Sequence, residues 1–201
     1  MSSRKRPTAK TRNERGASLV EGVLVAPLFF LMIFTVFEFG LVFRQYLTVS
    51  SADRNATRTA SAAGNAAQAD YLTLQAIVRS TRAISSSELR SIVIFKATGP
   101  KSSITTDSSL IPCLTASQAN LCNRYVASDL TRPSTQFGDC TASSSTPDRF
   151  WCPTSRKIAA SAPPDYVGVY ITSRYDSITG IFGKNFNFSE QTIYRLEPQT
   201  R

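Results

Sequence analysis

The chain has 201 residues, 42% of them hydrophobic and 10% aromatic, and carries a formal net charge of +9 at pH 7. This length fits one ordinary domain plus an anchor and excludes two large cores, while the hydrophobic content excludes a disordered chain. Residues 1–16 hold six basic side chains and one acid, and the rest of the chain has no interleaved aromatic and basic stripe, so the charge does not indicate a nucleic-acid partner.

An apolar run follows this basic leader at residues 17–43. It contains no basic side chain and two acids, the first of which is Glu21. At about 1.5 Å per residue, a helix of this length crosses a hydrocarbon layer of about 30 Å, whereas a cleavable secretory segment is about half as long. We therefore predict a basic leader at 1–16 and a transmembrane helix at 17–43.

The distribution of basic side chains predicts the orientation of this helix. The basic cluster precedes the apolar run, and no comparable cluster follows it in residues 44–60. Short loops rich in Lys and Arg stay in the cytoplasm. We therefore expect a single-pass protein of the cell membrane, with a cytoplasmic N-terminus and residues 44–201 outside the cytoplasm.

Helical periodicity continues beyond the apolar run. Small residues recur there at spacings of three and four, namely Val49, Ala52, Ala56, Ala60, Ala63 and Ala67. Such a stripe lets another helix or a sheet approach closely, or it is the face of an alanine-rich surface helix. Gly64 and Asn65 weaken the helix, and a second amphipathic run covers residues 71–84. We predict an extracytoplasmic helical region at 44–90.

Extended patterns replace the helical period in residues 91–201. Strands are predicted at 91–98, 166–175 and 191–196 from β-branched, apolar and alternating sequence. A helix followed by a few strands is typical of an α+β fold. We predict a long N-terminal transmembrane helix that extends into a small exported domain, with an antiparallel sheet and a loop region held by disulfides rather than by a core.

Four cysteines lie on the predicted exported side, and the chain has no His. None of their spacings is Cys-x-x-Cys, so a metal site is not expected, and two disulfides fit an oxidising compartment. Three pairings are possible. Because short loops close most readily, the favoured pairing joins Cys113 to Cys122 and Cys140 to Cys152.

The most specific local pattern is the junction Arg15-Gly16-Ala17-Ser18-Leu19-Val20-Glu21. With it, residues 15–57 resemble the TadE-like pseudopilins of tight-adherence (Tad) pilus systems, which are relatives of type IV pilins. The resemblance implies that a prepilin peptidase cuts after Gly16, that Ala17 becomes the mature N-terminus, and that Glu21 is the fifth mature residue. Gly22 departs from the pattern, because members of this group often have an aromatic residue there.

The chemistry of the junction fits these roles. Glycine lets a peptidase approach the scissile bond closely, and cleavage leaves a free amine on Ala17. The Glu21 carboxylate lies about 6 Å along the helix, in an apolar layer where an unpaired acid is costly. We expect it to pair with the Ala17 amine of a neighbouring subunit and to set register during assembly. The other interpretation is that Glu21 reaches the cytoplasmic interface and has no role.

Two function classes compete. An enzyme is not expected, because the chain has no His, no phosphate loop and no evident nucleophile, and no cofactor is predicted. The resemblance implies a minor pseudopilin in assembly of Tad/Flp-type pili, whose partners are the membrane, the prepilin peptidase, other pilin-like subunits and the Tad machinery. The alternative is an unprocessed, signal-anchored surface or periplasmic binding protein, and the mature N-terminus distinguishes the two.

Overall fold

The computed structural model describes residues 14–141, 145–158, 163–180 and 183–197. Most of the predicted basic leader, residues 1–13, lies outside the described residues. The chain divides into two compact units, Met1–Leu41 and Val42–Arg201.

The first helix, α1, comprises Glu14–Ala63, so its 50 residues extend well beyond the predicted transmembrane segment, as the helical periodicity indicated. It ends before Ala67, the last residue of the predicted stripe, at the glycine expected to weaken it: Gly64 adopts a positive φ of 55° and its N–H donates to the carbonyl of Ala60 at 3.2 Å. A left-handed glycine is a common way to end a helix.

The part of α1 in the first unit presents its apolar side chains outward. Leu24 is 74% exposed and Phe37 59% exposed, and none of the most apolar stretch of the helix is buried. The helix of a soluble core would be buried, whereas a lipid-facing helix is covered by the bilayer. By length and composition, α1 is the one helix among the described residues that could cross a membrane.

The second unit contains a second helix and a four-stranded sheet. The elements are α2 (Ala69–Ser80), β1 (Leu89–Ala97), β2 (Cys122–Tyr125), β3 (Tyr166–Asp176) and β4 (Asn185–Arg195). All strand pairs are antiparallel, and the order across the sheet is β2-β1-β3-β4. The predicted α+β class with a small antiparallel sheet is therefore confirmed.

Two details of the sheet differ from the sequence-based expectation. Strand β4 begins at Asn185, six residues before the predicted start at Gln191, because it pairs with β3 along 11 residues up to Asn185 opposite Asp176. The short strand β2 was not predicted. It lies in the cysteine-bearing region, where it pairs with Ile92 to Phe95 of β1.

The small-residue stripe of α1 packs in the main core of the second unit. Val49, Ala52, Ala56 and Ala60 are all 0% exposed and belong to one cluster with apolar side chains of β1 and β3. Farther along α1, the Ser61 hydroxyl donates to the carbonyl of Arg195 at 2.6 Å, at the end of β4. The close-approach interpretation of the stripe is confirmed for residues 49–60, whereas Ala67 is exposed and lies beyond the helix.

The cysteine-bearing region contributes a second core. Val93, Phe95 and Ala97 of β1 form a buried cluster with residues of this region, namely Ile104, Leu110, Cys113 and Cys122. The expectation that disulfides replace a core here was wrong, because alternate side chains of β1 point to opposite faces and both faces are covered. Gly168 of β3 makes this packing possible, since a Cβ there would lie 2.2 Å from the Phe95 ring.

The four cysteines form two disulfides in the second unit. Cys113 is bonded to Cys122 and Cys140 to Cys152, which is the favoured pairing of the three. The Cys113–Cys122 bond lies within the second core. The Cys140–Cys152 bond joins two cysteines that are 12 residues apart in the sequence. Both bonds therefore fasten the region that connects β1 to β3.

Candidate functional site

The predicted processing junction lies in the first turn of α1. Gly16 is the third residue of the helix and is exposed, and a Cβ added to it would meet no other atom within 4 Å. The first turn of a helix has backbone N–H groups without intrahelical acceptors and frays readily. The backbone around Gly16 is thus open to approach and inexpensive to unwind.

Glu21 lies one helical turn beyond Ala17, so the two positions share a face of α1. The side chain of Glu21 is exposed and its neighbours are exposed apolar residues, with Val20 at 59% and Leu24 at 74%. Among the described residues, nothing forms a hydrogen bond or an ion pair with the Glu21 carboxylate. An acid in this position needs a partner or the interface, because an isolated charge in an apolar layer is costly.

A buried polar network lies in the second unit and is centred on Asp70 of α2. One carboxylate oxygen, Oδ2, accepts hydrogen bonds from Asn123 Nδ2 at 2.8 Å and from the Tyr125 hydroxyl at 2.6 Å. The other, Oδ1, accepts from Arg156 Nη2 at 2.5 Å. The Arg156 guanidinium also lies 4.2 Å from the centroid of the Trp151 ring. The donors around Asp70 belong to the protein itself, so this network organises the core.

The electrostatic environment of this network maintains the hydrogen bond from the Tyr125 hydroxyl to Asp70. Burial, followed by the negative charge of Asp70, raises the pKa of the Tyr125 hydroxyl well above its usual range. The hydroxyl therefore stays protonated and continues to donate to the carboxylate.

A second buried acid, Asp53 of α1, lies ten residues beyond the end of the apolar run. Its side chain is 1% exposed, and its Oδ1 atom has no hydrogen-bond partner among the described residues. Burial raises the pKa of the Asp53 carboxyl to about 7; a hydrogen bond with the Thr192 side chain opposes this rise, and the charge of Glu190 adds to it. The Asp53 carboxyl therefore titrates well above the usual range of an aspartate.

A groove of about 510 Å³ lies between α1 and α2. Its lining residues are Asn55, Arg58, Thr59, Ala62, Ala76, Arg79 and Ser80. Arg58 and Arg79 are exposed, and Asn55 Nδ2 donates to Ser80 Oγ at 3.3 Å between the two helices. The sequence interpretation missed this groove, because it counted charge over the whole exported region. The signal available was the helical spacing of Asn55, Arg58 and Ala62.

The predicted site residues fall into two separate groups. Gly16, Ala17 and Glu21 lie within two turns of α1 in the first unit. The four cysteines lie in the second unit and are all consumed in disulfides. The three residues predicted to act in processing and assembly therefore lie on one helical stretch, while the cysteines have a structural role.

Residues 16–58 match the family model TadE, described as TadE-like protein. No curated protein and no solved structure matches the chain. The match covers the junction, the apolar run and the start of the buried small-residue stripe, so the resemblance predicted for residues 15–57 is confirmed in this segment. The match is limited to this N-terminal segment.

Proposed function

We propose that the protein is a non-enzymatic, membrane-anchored minor pseudopilin of the TadE-like type, which takes part in the assembly of Tad/Flp-type pili after its leader is removed. The observation that carries the proposal is Glu21, an exposed acid one turn beyond Ala17 in an apolar helix, with no partner on its own chain among the described residues. Its position within the matched segment supports the same role.

Processing would create the partner that Glu21 lacks. A prepilin peptidase would cut between Gly16 and Ala17, where the glycine offers no steric obstacle. The new amine on Ala17 of one subunit would then pair with Glu21 of the next, removing two unpaired charges from the apolar layer. The pair would fix the stagger between neighbouring helices.

The topology follows from the same segment. The N-terminus would lie in the cytoplasm, α1 would cross the membrane over residues 17–43, and the disulfide-bonded unit would lie outside. Disulfides persist in oxidising compartments, which supports this orientation of the second unit.

A non-enzymatic role is supported by the chemistry of the side chains. The sequence has no His, and its four cysteines are disulfide-bonded, so neither a cysteine nucleophile nor a histidine base is available. No group of three or more metal-ligating side chains occurs among the described residues.

The decisive experiment replaces Glu21 in a strain that makes these pili. Glu21→Gln should insert in the membrane as well as the wild-type chain, because it removes a charge from an apolar span. Pilus production should fall sharply, because the Ala17 amine of a neighbour would be left unpaired in a low-dielectric layer.

The matched control is Asp107→Asn, which removes an exposed acid from the second unit and should leave pili unchanged. Membrane fractionation measures insertion, and shearing followed by immunoblotting measures pili. If the Glu21→Gln strain inserts the protein normally and makes wild-type amounts of pili, the pairing role has to be abandoned.

A further inference from the structure

All exposed charged side chains of residues 44–87, the segment that holds α2 and residues 44–63 of α1, are arginines. Residues 44–87 contain two acids, Asp53 at 1% exposure and Asp70 at 0%, so both are withdrawn into the core. All the basic residues of this segment are exposed arginines, namely Arg44, Arg54, Arg58, Arg79 and Arg82. Because both acids are buried, the exposed surface of this segment is more positive than its net charge, counted from the sequence, indicates.

Two of these arginines line the groove between α1 and α2. Arg58 comes from α1 and Arg79 from α2, so each helix supplies one arginine to the lining of a groove of about 510 Å³. Neither forms an ion pair with an acid among the described residues. By comparison, Arg156 is paired with Asp70 in the same unit.

The lining of the groove defines the chemistry of what it can hold. A guanidinium presents a planar set of N–H donors that matches the two oxygens of a carboxylate. The remaining polar lining residues are Asn55, Thr59 and Ser80, which carry amide and hydroxyl groups suited to a peptide backbone. No aromatic residue lines the groove, so it offers no stacking surface for a sugar or a base.

We propose that this arginine groove binds an acidic segment of a partner protein chain, with carboxylates held by Arg58 and Arg79. The inference deepens the proposed assembly role and rests on it in taking the partner to be another protein of the assembly. A peptide segment can lie along this open groove and bring carboxylates to both arginines, and an anionic bilayer surface is the other occupant that the experiment distinguishes.

The test uses the full chain reconstituted in nanodiscs of the neutral lipid phosphatidylcholine. The probe is a fluorescein-labelled peptide of six glutamates, its reference is the matching peptide of six glutamines, and binding is followed by fluorescence anisotropy. The glutamate peptide should bind and the glutamine peptide should not. The double variant Arg58→Gln/Arg79→Gln should weaken binding by about tenfold or more, because bidentate, charge-assisted contacts are lost.

A matched double variant separates the groove from diffuse charge. Arg82→Gln/Arg90→Gln removes two exposed arginines that do not line the groove and should change the affinity by less than about twofold, because solvent and salt screen exposed charges that make no direct contact with the peptide. Equal losses in both double variants would overturn the proposal, as would an absence of glutamate-peptide binding by the wild-type chain.

A labelling experiment tests the membrane as the other occupant. Phenylglyoxal modifies accessible guanidinium groups, and the glutamate peptide should protect Arg58 and Arg79 from it in neutral nanodiscs. Protection by anionic phosphatidylglycerol nanodiscs without protection by the peptide would overturn the proposal in favour of lipid. These assays need neither leader cleavage nor pili, so they can fail while the proposed function stands, and the Glu21 test can fail while they succeed.

Discussion

The Asp70 carboxylate and the Arg156 guanidinium form an ion pair at 2.5 Å in which both side chains are 0% exposed. The two residues are 86 positions apart, and Arg156 follows the second disulfide by four residues. The pair therefore fastens α2 to the segment that the Cys140–Cys152 bond also constrains. Its effect on stability is best tested by removing one partner at a time.

Arg156→Met should lower the free energy of unfolding by about 3–5 kcal/mol, because it leaves the Asp70 carboxylate buried without its cation. Adding Asp70→Asn should recover part of the loss, since no uncompensated charge remains. Arg174→Met is the matched control, because its partner Asp176 is 65% exposed and such pairs contribute about 0–1 kcal/mol. Denaturant unfolding of the full chain in neutral detergent, followed by the fluorescence of the single tryptophan, measures all four proteins.

The two disulfides should both be present in protein isolated from the membrane. Thiol labelling of denatured, unreduced protein should modify none of the four cysteines, and each bond should contribute about 3 kcal/mol by restricting loops of this size. On titration with a reductant under native conditions, Cys140 should be labelled before Cys113, because Cys140 is half-buried and Cys113 is fully buried. Simultaneous labelling of the two would contradict the buried position of the first bond.

Asp53 should make the second unit less stable as the pH rises. Its pKa in the folded chain is about 7 against an ordinary value of 3.8, so folding takes up a proton between these values and stability falls through that window. The whole loss is at most roughly 4 kcal/mol, at about 1.4 kcal/mol per unit.

The variant that tests this is Asp53→Asn, which resembles the protonated carboxyl. It should match the wild-type melting temperature near pH 3, where the carboxyl is protonated in both states, and exceed it at pH 8. Asp107→Asn, at an exposed acid whose pKa is lowered by hydrogen bonds from Ser109, should leave the fall between pH 5 and pH 8 in place. A wild-type melting temperature that is flat over this range would contradict the effect.

Leader removal should depend on the residue at position 16. Beside its peptidase, the wild-type chain should begin at Ala17 on N-terminal sequencing, whereas Gly16→Leu should keep the leader because a branched side chain obstructs approach to the bond. The helix should tolerate this change, because a Cβ at position 16 meets nothing within 4 Å. Gly22→Ala, at an equally open position, is the control and should be processed normally. A wild-type chain that retains Met1 or Ser2 would favour the unprocessed anchor.

Local sequence predicted the elements whose periodicity is strong. The spacing of Val49, Ala52 and Ala56 predicted a helical face of small residues, for which close packing was one of two interpretations, and β-branched sequence predicted β1. The start of β4 was missed although Asn185 to Ser189 alternates exposed polar residues with half-buried phenylalanines, because Asn is disfavoured in strands and the pairing is set by β3. The four residues of β2 carry no periodic signal and become a strand only beside β1.

The polar sites of the second unit could be predicted from sequence less well than its helices and strands, because they are formed by tertiary contacts. Nothing near Asp70 in the sequence marks Arg156 as its partner, and nothing near Arg58 marks Arg79 as the other wall of a groove. The junction at Gly16 could be proposed from sequence alone because its residues are adjacent along one helix. Sites built from distant segments need the fold before they can be recognised.

The close contact between Gly168 and the Phe95 ring couples the side-chain sizes that the two positions can hold. A methyl group at position 168 has room only if the side chain at position 95 becomes smaller, because a Cβ added to Gly168 would lie 2.2 Å from a carbon of the Phe95 ring. Phe95 in turn fills the core that contains the first disulfide. Among related sequences, we therefore expect side-chain size at these two positions to vary in opposite directions. A chain with alanine at position 168 and phenylalanine at position 95 should pack the residues over that face of the sheet differently.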